Sequence, residues 1–219
     1  FDRLGGGDLR IQAILIAFCF GGLLEALAGF GAPVAITATM ILSLGVKPLK
    51  AAVTVLIANT APVAFGAVAV PITTAADVGG KDAHVIATIV GHQAPFLAML
   101  VPLILLVILD GMKGLKDAWL PALVIGVSFA IAQWITAATP AYNLTDVVAC
   151  IVSMGVAVIF LRFWKPRGVA GVRERYGLPA QAEEKEALPA VRVWMALLPY
   201  VIVVAIFGVA NLHAGLKAW

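Results

Sequence analysis

From Ile11 to Val46 the chain is apolar apart from one charged side chain, Glu25, with Gly29, Gly31 and Pro33 close behind it. As one straight helix this run would measure about 54 Å at 1.5 Å per residue. A hydrocarbon core is only about 30 Å thick. The run must therefore bend, re-enter or cross with a break, and the break falls at residues 29–33. Interrupted backbone at membrane depth is tolerated only where protein covers it or it lines a wet cavity. Residues 25–36 are accordingly the first candidate for a working centre.

The rest of the chain repeats the pattern. Apolar segments cover residues 51–76, 85–109, 118–138, 147–163 and 193–210. With 62% apolar and 12% charged residues, the class is an all-α polytopic membrane protein with interrupted helices and a probable re-entrant hairpin. A transmembrane barrel would alternate apolar and polar residues over short segments, and these do not. Net charge is +3 and the bases are not interleaved with aromatics, which excludes nucleic acid as a partner. Cys19 and Cys150 both lie in apolar segments and read as small buried hydrophobes.

Loop charges give orientation. Lys47 and Lys50, then Lys113 and Lys116, then the stretch from Arg162 to Arg192, occupy alternate loops, which assigns those loops to the cytoplasm. Residues 164–191 become a cytoplasmic connector inside one membrane-transport domain over residues 1–219. If residues 11–46 form a hairpin, Arg3 and Arg10 join the basic side; if they cross once, both lie outside. The rule favours the hairpin. The start at Phe1 and the end soon after His213 suggest a piece of a longer protein.

Four places can carry chemistry. Glu25 is an intramembrane carboxylate, functional by default. Desolvation favours the protonated form of a carboxyl, so Glu25 is a candidate proton carrier; equally, it could simply bond the broken turn beside it. Gly29, Phe30, Gly31 and Pro33 permit an unwound turn followed by a half-helix start, whose free N–H groups attract an anion. Asn59, Thr60 and Pro62 repeat that arrangement, and Ala-Pro-Val-Ala recurs at residues 32–35 and 61–64. Paired interrupted segments point to a transporter binding site. His92 and Gln93, before Pro95, could shuttle a proton or donate to a carboxylate, or bond a neighbouring helix. Gln133 reads as glue between helices. No metal-ligand, phosphate-loop or nucleophile motif is present, so neither an enzyme, nor a metal, nor a cofactor is expected.

The run from Glu25 through Gly29, Gly31 and Pro33 to Ile36, with Lys47-Pro48, residues 57–66, Asp110-Gly-Met-Lys-Gly114 and Trp164-Lys-Pro166, resembles the bacterial L-lactate permease family. The resemblance covers residues 10–167. It implies a secondary carrier of the bacterial inner membrane, longer than this chain, that moves L-lactate, and often D-lactate and glycolate, with a proton. Its partners would be a small monocarboxylate and the lipid bilayer. Family members commonly carry Arg where His92 stands, so a fixed cation becomes titratable here. The carboxylate is expected between residues 29–33 and 59–62, with Glu25 coupling the proton and His92 and Gln93 near by. A channel with a re-entrant pore loop, or a carrier for another organic anion, is the alternative.

Overall fold

The computed structural model describes residues 7–29, 31–164 and 166–178, with the isolated helical positions Val191, Met195, Leu198, Ile202 and Ile206. Every regular element among the described residues is helical. The chain divides into two units, Phe1–Gln181 and Ala182–Trp219. The second contains the isolated positions and most of the sixth apolar segment, which otherwise falls outside the described residues, as does the connector beyond residue 178.

The first apolar run is a hairpin. Its first arm, α1, covers Leu9–Ala28 and includes a π-helical stretch at Leu15–Phe20. Its second arm, α2, covers Ala32–Ser43. Gly29 (φ +61°) and Gly31 (φ +79°) turn the chain between them, and Pro33 lies in the first turn of α2, where its missing N–H costs nothing. The arms lie antiparallel: a Cβ built at Gly21 would come within 3.2 Å of the Thr37 side chain, several residues from the tip on either arm. Small residues let the two backbones approach.

Both ends of this hairpin sit on one face of the molecule, which decides between the hairpin and the single crossing. Arg10 at the start of α1 bonds Asp110 and Asp117 of the third–fourth loop. Just past α2, Gly45 abuts Leu178 and Lys50 donates to the Leu109 carbonyl at 3.1 Å. Arg175 bonds Asp110. The basic loops thus share one face, as their alternation requires.

The second apolar run is broken as well. Helix α3 (Pro48–Ala58) ends at Asn59, and a series of turns leads to a short 3-10 turn at Ala67–Ala69 and then α4 (Val70–Gly79). The sequence led us to expect Pro62 to open the following half-helix. It opens only a turn: its carbonyl accepts from Phe65 N at 3.2 Å and from Gly66 N at 2.7 Å, and the helix restarts at Val70 with Pro71 in its first turn.

The third run comprises α5 (Ala83–Gly91), the short α6 (Ala94–Ala98) and the first arm of α7 (Val101–Ala137). Within α7 the backbone leaves helical geometry at Gly111 (φ +64°) and Ala118 (φ −133°), so residues 101–110 and 119–137 are separate arms. Gly126 of the second arm lies against the Met99 carbonyl, as antiparallel neighbours must. The fifth run is α8 (Thr145–Phe163), and α9 (Val169–Arg175) follows within the connector. On the face opposite the bases, His84 meets the Ala138 carbonyl at 3.1 Å.

The main core is formed by α1, α2, α3, α7 and α8, with Phe18, Ile41, Leu105, Ile125 and Phe129 fully enclosed. Phe18 meets Phe129 edge to face at 5.0 Å, a preferred aromatic geometry. Large apolar side chains such as Val63, Val85, Leu97 and Ile159 face outward, consistent with a surface wetted by lipid rather than water.

Candidate functional site

The two breaks meet. A Cβ built at Gly29, the hairpin tip, would lie 2.7 Å from the Ala67 Cβ in the second break. One built at Gly22 would lie 4.0 Å from Pro62 Cγ and 2.9 Å from the Cys150 Sγ of α8. Gly22, Glu25 and Gly29 are spaced i, i+3, i+7, which puts them on one helix face. Glu25 thus stands between two places where this helix meets residues 62–67, Gly22 below it and Gly29 above.

Glu25 is buried, 6% exposed, and its Oε2 has no hydrogen-bond partner. The alternative in which it bonds the broken turn is not what the side chain does: the bond that closes the helix here runs from Gly29 N to the Glu25 backbone carbonyl, at 2.9 Å. An unpaired buried acceptor forfeits its hydration, about 1–3 kcal/mol and more if charged. Such a group persists where something else supplies the partner, and a ligand or a proton would.

The second break contributes strain that the sequence did not reveal. Val68 (φ +49°) and Ala69 (φ +56°) both have left-handed backbone, and they are the two non-glycine residues that do so among the described residues. For a β-branched residue this is a genuine outlier, and each such residue costs on the order of 1–3 kcal/mol. The one available hint was Pro71, which forces the helix to restart close behind. Asn59 is half-buried and its side-chain amide forms no hydrogen bond among the described residues, whereas the exposed Thr60 hydroxyl turns back to the Ile57 carbonyl at 2.6 Å. Thr54, one turn before the break, is fully buried with its hydroxyl oxygen unpartnered.

The remaining expected residues lie differently. Phe30 is outside the described residues. Pro33 is buried, and its carbonyl accepts the Thr37 hydroxyl at 2.9 Å. His92 and Gln93 form an exposed kink between α5 and α6, and neither bonds Glu25 or the second break. The His92 ring packs edge-on against Trp134 at 4.6 Å, beside an apolar cavity of about 260 Å³ lined by Pro95, Phe96, Met99 and Trp134. Helix α5, just before this kink, reaches the second break: Gly91 lies against Phe65, and Ala87 shares a buried cluster with Phe65 and Ala69.

Two further buried groups were not singled out as binding residues from the sequence. Asp146 in the first turn of α8 is 2% exposed, and Gln133 is fully buried. Gln133 Nε2 donates to Asp146 Oδ1 at 2.8 Å, which bears out its reading as a bond between helices. In the sequence Asp146 merely precedes the apolar segment at residues 147–163.

The architecture, with hairpin and interrupted helices around a buried carboxylate, is that of a polytopic helical membrane protein. More particularly, the chain belongs to the L-lactate permease family: the family model matches residues 6–217. It is 41% identical over 218 residues to the L-lactate permease of Bacillus subtilis (strain 168), covering 95% of this chain and 39% of that protein. It is 50% identical over 160 residues to the glycolate permease GlcA of Escherichia coli (strain K12), covering 73% of this chain and 29% of the relative. Identity to the L-lactate permease of the same strain is 46% over 159 residues, with the same coverage. The chain thus spans well under half the length of these relatives. No solved structure matches it. Family and apolar helices together place it in the bacterial plasma membrane.

Proposed function

We propose that this chain is the substrate-binding part of a secondary carrier that moves L-lactate and related 2-hydroxy monocarboxylates, D-lactate and glycolate among them, together with a proton. The reading rests on one observation above all: two helix breaks meet at Gly29 and Ala67 with the unpartnered Glu25 on the face between them. An anionic carboxylate would bind where the two breaks unwind, at residues 29–33 and 59–69, with the Asn59 side-chain amide available for a hydroxyl. Glu25 would carry the coupled proton, since a protonated carboxyl can lie beside a bound carboxylate where an ionised one would repel it. His92 and Gln93, at the edge of this region, would act on access rather than on the bound anion. The relatives named L-lactate permease and glycolate permease support the substrate class.

The test is uptake of radiolabelled lactate into vesicles containing the full-length protein, driven by an imposed inward proton gradient. Saturable accumulation that collapses in Glu25→Gln is the expected result. Accumulation by Glu25→Gln equal to the parent removes Glu25 from the mechanism, and ohmic single-channel current in place of accumulation overturns the carrier.

A further inference from the structure

Gln133 and Asp146 are joined through one bond and left open on the other side. The amide Nε2 donates to Asp146 Oδ1, while Gln133 Oε1 and Asp146 Oδ2 have no partner. An ionised carboxylate only accepts, and so does an amide oxygen. The pair as a whole therefore holds two orphaned acceptors and is short of one donor. A single proton on Asp146 Oδ2 supplies it: the resulting O–H can donate to Gln133 Oε1, and acid and amide then each donate to and accept from the other.

We propose that Asp146 and Gln133 form a second proton-loading site of the carrier, the acid being bound reciprocally to the amide when loaded and ionised when empty. This rests on the symport reading above and assigns it a second carboxylate. Opposing influences make both states accessible. Burial favours the acid, and the position of Asp146 in the first turn of α8 favours the anion through the helix dipole. The place in the fold connects the pair to the breaks. The turn at Tyr142–Leu144 just before it packs on the strained Ala67–Ala69 turn. One helical turn after it, Cys150 touches Gly22 on the face that presents Glu25.

The titratable groups on the elements packed around Asp146 are few. Cys150 and Arg162 share α8; Glu25 and Cys19 stand on α1, with Arg10 at its far end; Tyr142 precedes the helix, with His84 beyond it at 6.1 Å between rings. Asp110, Lys113, Lys116 and Asp117 of α7 stand between its arms, toward the basic face, and Arg162 lies at the far end of α8. Among the described residues no cation forms an ion pair with Asp146, although Lys81 and His84 lie toward the same end of the molecule. A proton is the charge-balancing partner that the surroundings leave to it.

The experiment uses the full-length protein in vesicles and compares two assays, accumulation of lactate driven by a proton gradient and exchange with lactate on both sides. Asp146→Asn replaces the acid by an amide that can pair with Gln133 permanently. It is expected to lose gradient-driven accumulation in much larger proportion than exchange, and Asp146→Glu is expected to keep coupling with a displaced pH profile. Accumulation by Asp146→Asn with the parent's dependence on the gradient overturns the proposal. If the parent itself exchanges lactate but ignores the gradient, the symport reading fails first and this proposal with it. Should Asp146→Asn not reach the membrane, Gln133→Leu decides. Loss of the reciprocal acceptor displaces the pH of half-maximal uptake, whereas a pair that merely joins two helices leaves that pH unmoved while lowering thermal stability.

Discussion

The chain buries charge in two ways, at opposite ends of one helix. At the base of α1, Arg10 is fully enclosed and every face of its guanidinium is used: Asp8 at 2.7 Å, Asp110 at 3.1 Å, Asp117 at 3.4 Å and the Arg167 carbonyl at 2.7 Å. Asp110 in turn takes both ends of Arg175. Toward the tip, Glu25 is nearly as buried, yet its Oε2 bonds nothing. A network of satisfied charges specifies how elements dock; an unsatisfied one waits for a partner. The same helix is therefore fastened at one end and open to chemistry at the other.

The sharpest way to break this comparison is Arg10→Met. It leaves the buried Asp8 without its cation and Asp110 with Arg175 alone, and removing one partner of a buried pair costs about 3–5 kcal/mol. A large fall in thermal unfolding temperature in detergent is expected; an unchanged temperature means the network fastens nothing. Next comes Gly29→Val at the tip. The new side chain meets Ala67 and must adopt backbone at φ +61°, ψ −166°, a region essentially confined to glycine that costs on the order of 1–3 kcal/mol. The protein should still insert, judged by membrane yield, but lactate uptake should be lost.

Glu25→Gln then tests the contrast directly. Where Arg10→Met costs stability and, through it, activity, Glu25→Gln should leave the unfolding temperature unchanged or raise it while abolishing coupled uptake. A drop as large as that of Arg10→Met would mean that Glu25 is a structural anchor too. The smallest effect belongs to Asp117→Asn. Its side chain is 36% exposed and its bond to Arg10 is the longest of the set. An exposed pair is worth about 0–1 kcal/mol, so the unfolding temperature should barely move and should move less at high salt.

Much of this was legible in the residues. Excess length forced a break in residues 11–46, Gly and Pro located it, and alternate basic loops put both ends of the hairpin on one side. Those signals are local or additive along the chain. Three features were not legible for the opposite reason. Asp146 sits at the edge of an apolar segment, and only the packing of α7 on α8 buries it. Val68 and Ala69 carry no residue preference for left-handed backbone; the surrounding fold imposes it. His92 lies before a proline as a binding residue might, but sequence does not say which side of a kink faces inward, and the Trp134 ring claims it. Pro62 was read by the rule for helix starts, which holds at Pro33, Pro48 and Pro71; at Pro62, Gly66 (φ +58°) ends the turn before a helix can form.

The π-helical stretch Leu15–Phe20 lies between the fastened base and the open tip. Such a stretch is equivalent to one residue inserted into an α-helix. Each residue of an α-helix turns the axis by about 100°, so removing one would swing everything beyond it by that amount relative to Arg10. The base would stay clamped, and Glu25 would point away from the second break. The bulge thus works as a phase setting, fixing which way the carboxylate looks once the guanidinium is locked.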